Sequence, residues 1–285
     1  MGTTVRRATR KDAQACGRIL YEAFKTISSQ HGFSPDFASE QEATMVWFAA
    51  LAHPGYYGVV AESEGKVVGT ILLDERDSVA GMMGLAVDPS ATGVGLAAIQ
   101  LQRHMMSRCK ERGVSMRGMV ATYHHGGYAM DRRFGFVLRD LILWMEGPPL
   151  KREVPGHPVR PATREDIEAC NPLCLRAHGV SRGGSLLDGV LSKTALVVER
   201  EGRITGYWAQ AGIGHAVAET NADLQALICA APRMVGGSGP LVPADNAELF
   251  RWCYDNGFRV IRTMVQVTRD DWKPSALPYL PSTSW

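Results

Sequence analysis

MMGLAVDPSATGVGLAAIQLQ, residues 82–102, is the stretch that decides how this chain folds. Residues 82–87 form a short apolar run, the signature of a buried strand. Asp88-Pro89 then ends that strand, because proline has no N–H to give to a ladder. Gly93 and Gly95 flank the start of a helix expected over 95–112, with Ala98, Leu101, Met105 and Cys109 on its apolar stripe. A helix N-terminus leaves backbone N–H groups unpaired and carries partial positive charge. Glycines there remove Cβ bulk, so a diphosphate can approach the backbone closely. A glycine pair before a helix is also an ordinary turn. What makes this one specific is the whole sequence of strand, V-x-P and T-G-x-G-L-A opening a helix.

Outward from that segment, the first half alternates strand and helix. VRRAT reads as a strand, 12–24 and 40–52 as helices, and YYGVVAES and KVVGTILLD as a hairpin turning at Glu-Gly. Residues 116–123, 126–133 and 136–145 read as strand, helix and strand. The chain also resembles itself. VRRATRKDAQAC (5–16) matches VRPATREDIEAC (159–170), ESEGKVVG (62–69) matches EREGRITG (199–206), and RRFGF (132–136) matches YDNGF (254–258). Three matches in one order imply two copies of one domain, the second shortened between its landmarks. The copies are expected over 1–147 and 159–271, joined by a proline-rich linker, 148–158, and followed by a tail, 272–285. The fold class is α/β (α+β), each copy a mixed, largely antiparallel sheet flanked by helices.

Composition narrows the function. Lys and Arg total 31 against 29 Asp and Glu, a net charge of +2, so no global basicity points to nucleic acid. The six cysteines form no CxxC pair and no His/Cys cluster has metal-site spacing, so no metal is expected. They read as small core residues of a reducing compartment. No uninterrupted apolar run reaches the length of a membrane span, and residues 1–15 contain no apolar leader segment. The cytoplasm is the expected location.

Residues 87–97 resemble motif A of the GNAT (Gcn5-related N-acetyltransferase) superfamily, V-x-P-x-x-[QR]-G-x-G-[IL]-[GA]. Val87, Pro89, Gly93, Gly95, Leu96 and Ala97 match, while Thr92 replaces the usual Gln or Arg. The resemblance spans residues 4–145 and includes the V-R-x-A-T opening, the G-K-V-V-G hairpin and the closing F-G-F. It implies an acetyl-CoA (or other acyl-CoA) cosubstrate, its diphosphate on backbone N–H groups of Thr92, Gly93, Val94, Gly95, Leu96 and Ala97. It also implies a pantetheine arm running like an added strand along Leu85, Ala86 and Val87.

Amide formation from a thioester needs a neutral amine, an oxyanion stabiliser and a proton donor for the departing thiolate. Many relatives place a tyrosine five residues before the final phenylalanine; here that position is Asp131. Tyr128, one helical turn earlier, is either the acid or a packing residue. His124 and His125 fall near the expected cofactor arm, and His124 is assigned to it, although an adjacent histidine pair on a loop is more often a polar surface. Asp74, Glu75 and Asp77 either reach an acceptor or form a solvated turn. In the second copy, Gly93 and Gly95 align with Thr220 and Ala222, and Glu219 stands where Thr92 does, placing a repulsive carboxylate where a diphosphate would sit. That copy keeps the fold and loses the nest.

The expected function is acetyl-CoA-dependent N-acetylation of a primary amine on a small-molecule or amino-acid-like acceptor. The rival is a catalytically lapsed CoA-binding regulatory or scaffold protein. A homodimer is compatible with either, and neither needs a membrane or nucleic acid.

Overall fold

The computed structural model describes residues 2–91, 94–210, 214–231, 239–269 and 272–284, with the side chains of Val94 and Met130 outside that set. They form two compact units, one ending at Val137 and one running from Leu138 to Thr283. The first repeat comprises β1 (Thr4–Arg7), α1 (Ala13–Gln30), α2 (Glu40–Ala52), β2 (Tyr56–Ser63), β3 (Lys66–Asp74), β4 (Ala80–Val87), α3 (Val94–Arg112), β5 (Met116–Ala121), α4 (His125–Arg133) and β6 (Val137–Glu146). The second comprises β7 (Val159–Pro161), α5 (Asp166–His178), α6 (Gly183–Leu191), β8 (Leu196–Arg200), β9 (Arg203–Ala209), β10 (His215–Ala218), α7 (Asn221–Ala230), β11 (Leu241–Pro243), α8 (Ala247–Asp255) and β12 (Arg259–Thr268). The same elements recur in the same order. The tail adds one short strand, β13 (Tyr279–Leu280).

In the first unit the strand order is β1-β2-β3-β4-β5, antiparallel up to β4 and parallel between β4 and β5. Strand alternation divides the side chains between two helical layers. Val60, Leu72 and Ala86 join Cys16, Ile19, Leu20 and Trp47 of α1 and α2 in one buried cluster. Gly69 has the opposite parity and faces α3: a Cβ there would lie 3.0 Å from Leu101 Cδ1. In the second unit β13-β10-β9-β8-β7 form one sheet, and β11 pairs antiparallel with β6. β6 ends the first repeat in sequence but groups with the second unit in space. The proline-rich stretch after β6 lies on that unit as well. Leu150 and Val154 pack against its core, and His157 pairs with Asp223 at 2.8 Å.

The repeat is physical as well as textual. Arg6 donates from Nε to Glu62 Oε2 (2.7 Å) and from both terminal nitrogens to Asp12 (2.9 Å each), while Thr9 N–H donates to Asp12 (2.7 Å). Arg160, Glu199, Asp166 and Thr163 make the same set at 2.9, 2.7, 2.8 and 2.7 Å. Both hairpins turn on a Glu-Gly pair with positive φ, 52° and 73° at Glu64-Gly65 and 54° and 73° at Glu201-Gly202. Two successive positive φ values are what a tight right-twisted hairpin demands.

The arginine bonds, partly offset by burial, hold the Asp12 and Asp166 carboxyls down to about 2. Their stabilisation is therefore fully present above the ordinary value of 3.8 and is lost as pH falls through about 2. Arg6 and Arg160 keep 42% and 41% of their side-chain surface in water, which discounts the gain. Asp12→Asn and Asp166→Asn should each cost about 1 kcal/mol at pH 7 and clearly less at pH 2, where the folded-state carboxyls are about half protonated. Denaturant unfolding at the two pH values measures this; an equal loss at both would show that the ionised pair is not the source.

Candidate active site

The site begins with an irregularity in β4. Between Thr70 opposite Ala86 and Leu72 opposite Met83 the β3–β4 register slips by one residue, and Gly84 takes φ 58°. Such a bulge leaves backbone groups out of the ladder and bends the strand. Among the described residues, β4 and β5 then pair only at Ala80 opposite Met116 and Gly81 opposite Arg117, and share no ladder beyond Gly81. Met83, Gly84 and Leu85 are half-exposed along the parted stretch, whereas Ala86 and Val87 are buried and paired with Thr70 and Gly69 on β3. The three predicted strand residues thus have β3 on one side and the opening on the other.

Asp88 closes the strand. Its Oδ1 accepts from Ser90 N (3.0 Å) and Ser90 Oγ (2.6 Å), and its Oδ2 accepts from Arg18 on α1 (2.8 Å). Burial alone would raise this carboxyl, but the Ser90 and Arg18 bonds outweigh it and hold the group below its usual range. The turn therefore remains an anchored, ionised cap. Thr92 and Gly93, both predicted to cradle the diphosphate, lie outside the described residues, as does the Val94 side chain. Gly95 and Leu96 are exposed in the first turn of α3, and Ala97 is buried. A Cβ on Gly95 would meet nothing within 4 Å. Glycine in a helix is unfavourable by roughly 1 kcal/mol against alanine. Packing among the described residues supplies no reason for it.

The opposite wall is β5 and the start of α4. His124 sits at the corner, its ring so close beneath the helix that a Cβ on Gly127 would lie 2.6 Å from Nδ1. Burial, then the neighbouring His125 and His31, lower its pKa, which keeps the ring neutral. Tyr123 stacks on Phe33 (4.4 Å between centroids, 15°), and its hydroxyl is 3.3 Å from Ser28 Oγ, which donates to Asp36 at 3.0 Å. Nothing in the spacing of 28, 33, 36 and 123 announces this cluster; only the fold assembles it. Tyr128 is half-buried and its phenol is pushed up by burial, then by Asp131. Asp131 is 3% exposed, its Oδ2 has no hydrogen-bond partner, and burial raises its pKa to about 7.

Two sequence readings close here. Asp74 pairs with Arg76, and Glu75 pairs with Arg108 (3.0 Å) and Arg112 (2.7 Å), so both serve the scaffold. Glu219 is not the bare repulsive charge that its alignment with Thr92 suggested. Arg203 (2.8 Å), Arg176 (3.2 Å) and Arg200 (3.9 Å) surround it. The N-terminus of α7 is filled by its own side chains: Thr220 accepts from Asp223 N–H, and the Asp223 carboxylate takes bonds from Thr220, Thr205, Arg200 and His157. The second repeat meets with internal acids the electrostatic demand that an anion meets elsewhere.

Among the described residues no group of three His, Cys, Asp or Glu could hold a metal, and no helix is long and apolar enough to cross a membrane.

Residues 19–136 match the model of the Acetyltransferase (GNAT) family. No curated protein matches the sequence significantly. Among solved structures, a candidate acetyltransferase from Pyrococcus horikoshii superposes with a TM-score of 0.71 at 15% identity, over 95% of this chain and 90% of that one. A GCN5-related N-acetyltransferase from Sphaerobacter thermophilus gives 0.59 at 18% identity, over 95% and 96%. A tandem GNAT protein from the clavulanic acid biosynthesis pathway gives 0.55 at 14% identity, over 94% and 98%. At these identities the likeness is one of fold. Residues 19–136 therefore carry a domain matching the GNAT acetyltransferase family, and the chain as a whole is similar in fold to a tandem GNAT structure.

Proposed function

We propose that the first unit transfers an acetyl group from acetyl-CoA to the primary amine of a small-molecule or amino-acid-like acceptor. One observation carries this reading: a bulged, half-exposed strand beside a parted sheet runs directly into a helix whose Gly95 faces open space. The diphosphate is assigned to backbone N–H groups of residues 92–97, and the pantetheine arm to the open side of Leu85, Ala86 and Val87. Acetyl-CoA supplies the acyl group as a thioester.

The chain's own residues do the remaining work. Backbone released from the ladder at Gly84 offers an N–H to the carbonyl oxygen as it gains charge. His124, held neutral, takes the proton that the amine loses as the C–N bond forms. As the C–S bond breaks, the sulfur takes a proton from Tyr128 or Asp131, whose protonated forms burial favours. The half-exposed rings of Phe33 and Tyr123, with Asp36 beside them, supply aromatic faces and a carboxylate suited to an ammonium group on its approach.

Calorimetry should find one acetyl-CoA bound per chain, because Glu219 and Asp223 occupy the second nest. Two equivalent sites would overturn that assignment. Thiol release across a panel of primary amines then tests transfer: turnover with at least one supports the enzyme, whereas tight binding without turnover favours the lapsed, regulatory protein.

A further inference from the structure

The two repeats open their sheets at corresponding places. In the second, β10 and β11 belong to different sheets, and the free edge of β10 is taken by the chain's own tail. β13 runs antiparallel to β10, with Ala216 opposite Leu280 and Val217 opposite Tyr279, and Ala218 N–H donates to Pro278 O at 3.0 Å. Alternation sends the two side chains to opposite faces. Leu280 is fully buried in the cluster containing Trp208, Ala216 and Leu249. Tyr279 enters the other cluster with Cys170, Tyr207 and Val217. Its hydroxyl donates to Asp140 at 2.7 Å, and its ring meets His178 edge-on at 4.8 Å. Arg182 donates to Ser282 Oγ at 3.2 Å. Pro278 and Pro281 bracket the strand and have no N–H, which limits the added strand to these two residues.

We infer that the edge of β10 is a strand-accepting groove for an extended peptide carrying an aromatic–leucine pair between prolines, and that residues 274–284 are its resident occupant. β10 is the repeat's counterpart of β4, where the proposed cofactor arm runs. The second repeat has thus exchanged a cofactor arm for a peptide, while its nest is filled by Glu219 and Asp223. The backbone edge supplies affinity without sequence preference, and the two side-chain pockets supply selection. This inference rests on the proposed place of the arm only for that comparison; the groove itself stands on the pairing of β10 with β13.

The test uses the full chain with a specific protease site inserted between Lys273 and Pro274. After cleavage the terminal peptide should co-elute with the body in size exclusion. Excess fluorescent peptide of sequence PSALPYLPSTSW should then replace it saturably, with the body's circular dichroism unchanged. The same peptide with Leu280→Asp should bind at least about tenfold more weakly, since a charge would enter a buried apolar pocket. The groove is overturned if the cleaved peptide departs and the synthetic one fails to bind, or if the body loses its helical signal on exchange. Acetyl-CoA titration of the cleaved protein separates the two proposals. Peptide exchange without acetyl-CoA binding would sink the transfer reading and leave the groove standing.

Discussion

Replacing Gly95 by glutamate should weaken acetyl-CoA binding by at least roughly 100-fold and leave the thermal midpoint unchanged or slightly raised. The two effects separate because they arise at different places. A Cβ on Gly95 meets nothing within 4 Å, so the fold accommodates a side chain there. A carboxylate in the first turn of α3 also interacts favourably with the helix dipole, and any residue in place of a helical glycine gains a few tenths of a kcal/mol or more. The same carboxylate fills the space assigned to a diphosphate and repels it. Gly95→Ala is the control for bulk without charge and should weaken binding far less. Equal calorimetric affinity in wild type and Gly95→Glu would mean that the cofactor lies elsewhere.

Asp131 should show the opposite exchange, activity given up for stability. The repeat supplies an internal comparison. Phe136 N–H donates to Asp131 O, and Phe258 N–H donates to Cys253 O, at the same turn after α4 and α8. The second repeat places a fully buried cysteine where the first buries a carboxyl with an unpartnered oxygen. Its pKa of about 7 lies above the ordinary 3.8, so the folded protein holds this proton more tightly than the unfolded chain does. Stability is therefore lost as pH rises from about 4 to about 7 and is level beyond. Asp131→Cys and Asp131→Asn should raise the unfolding free energy by on the order of 3 kcal/mol at pH 8 and by little at pH 4. If the carboxyl donates to the departing sulfur, kcat should fall about 100-fold in both variants with little change in KM for acetyl-CoA. The wild-type rate should decline as pH rises through about 7, and the variants should lose that limb. Stabilised variants with full kcat would leave Tyr128 as the donor.

Much of the fold was legible because it rests on contacts between residues close in the chain or repeated within it. Arg6, Thr9 and Asp12 form one cluster over seven positions, and the same letters at 160, 163 and 166 form it again. The Glu-Gly turns and the strand–loop–helix of 82–102 are likewise local, set by which residues tolerate positive φ, lack an N–H or bury a stripe. Helix and strand ends moved by a few residues: α1 runs on to Gln30, and β5 stops at Ala121. The strand in the tail is not legible in this way. Two residues have too little periodicity to announce a strand, and the partner that makes them one lies more than sixty positions away.

The candidate site divides the same way. Motif A, the likeness of the two halves and the loss of glycines in the second were determined by the sequence alone. The tertiary structure alone decided that β4 bulges at Gly84 and parts from β5, and that Ser28, Phe33, Asp36 and Tyr123 meet. It also decided that Glu219 is held by three arginines and that Asp131 is buried without a partner for Oδ2. The physical reason is common to all of these. A residue's type is written in the chain, but its charge state, its partners and the space beside it depend on neighbours brought from distant positions, and those exist only once the chain has folded.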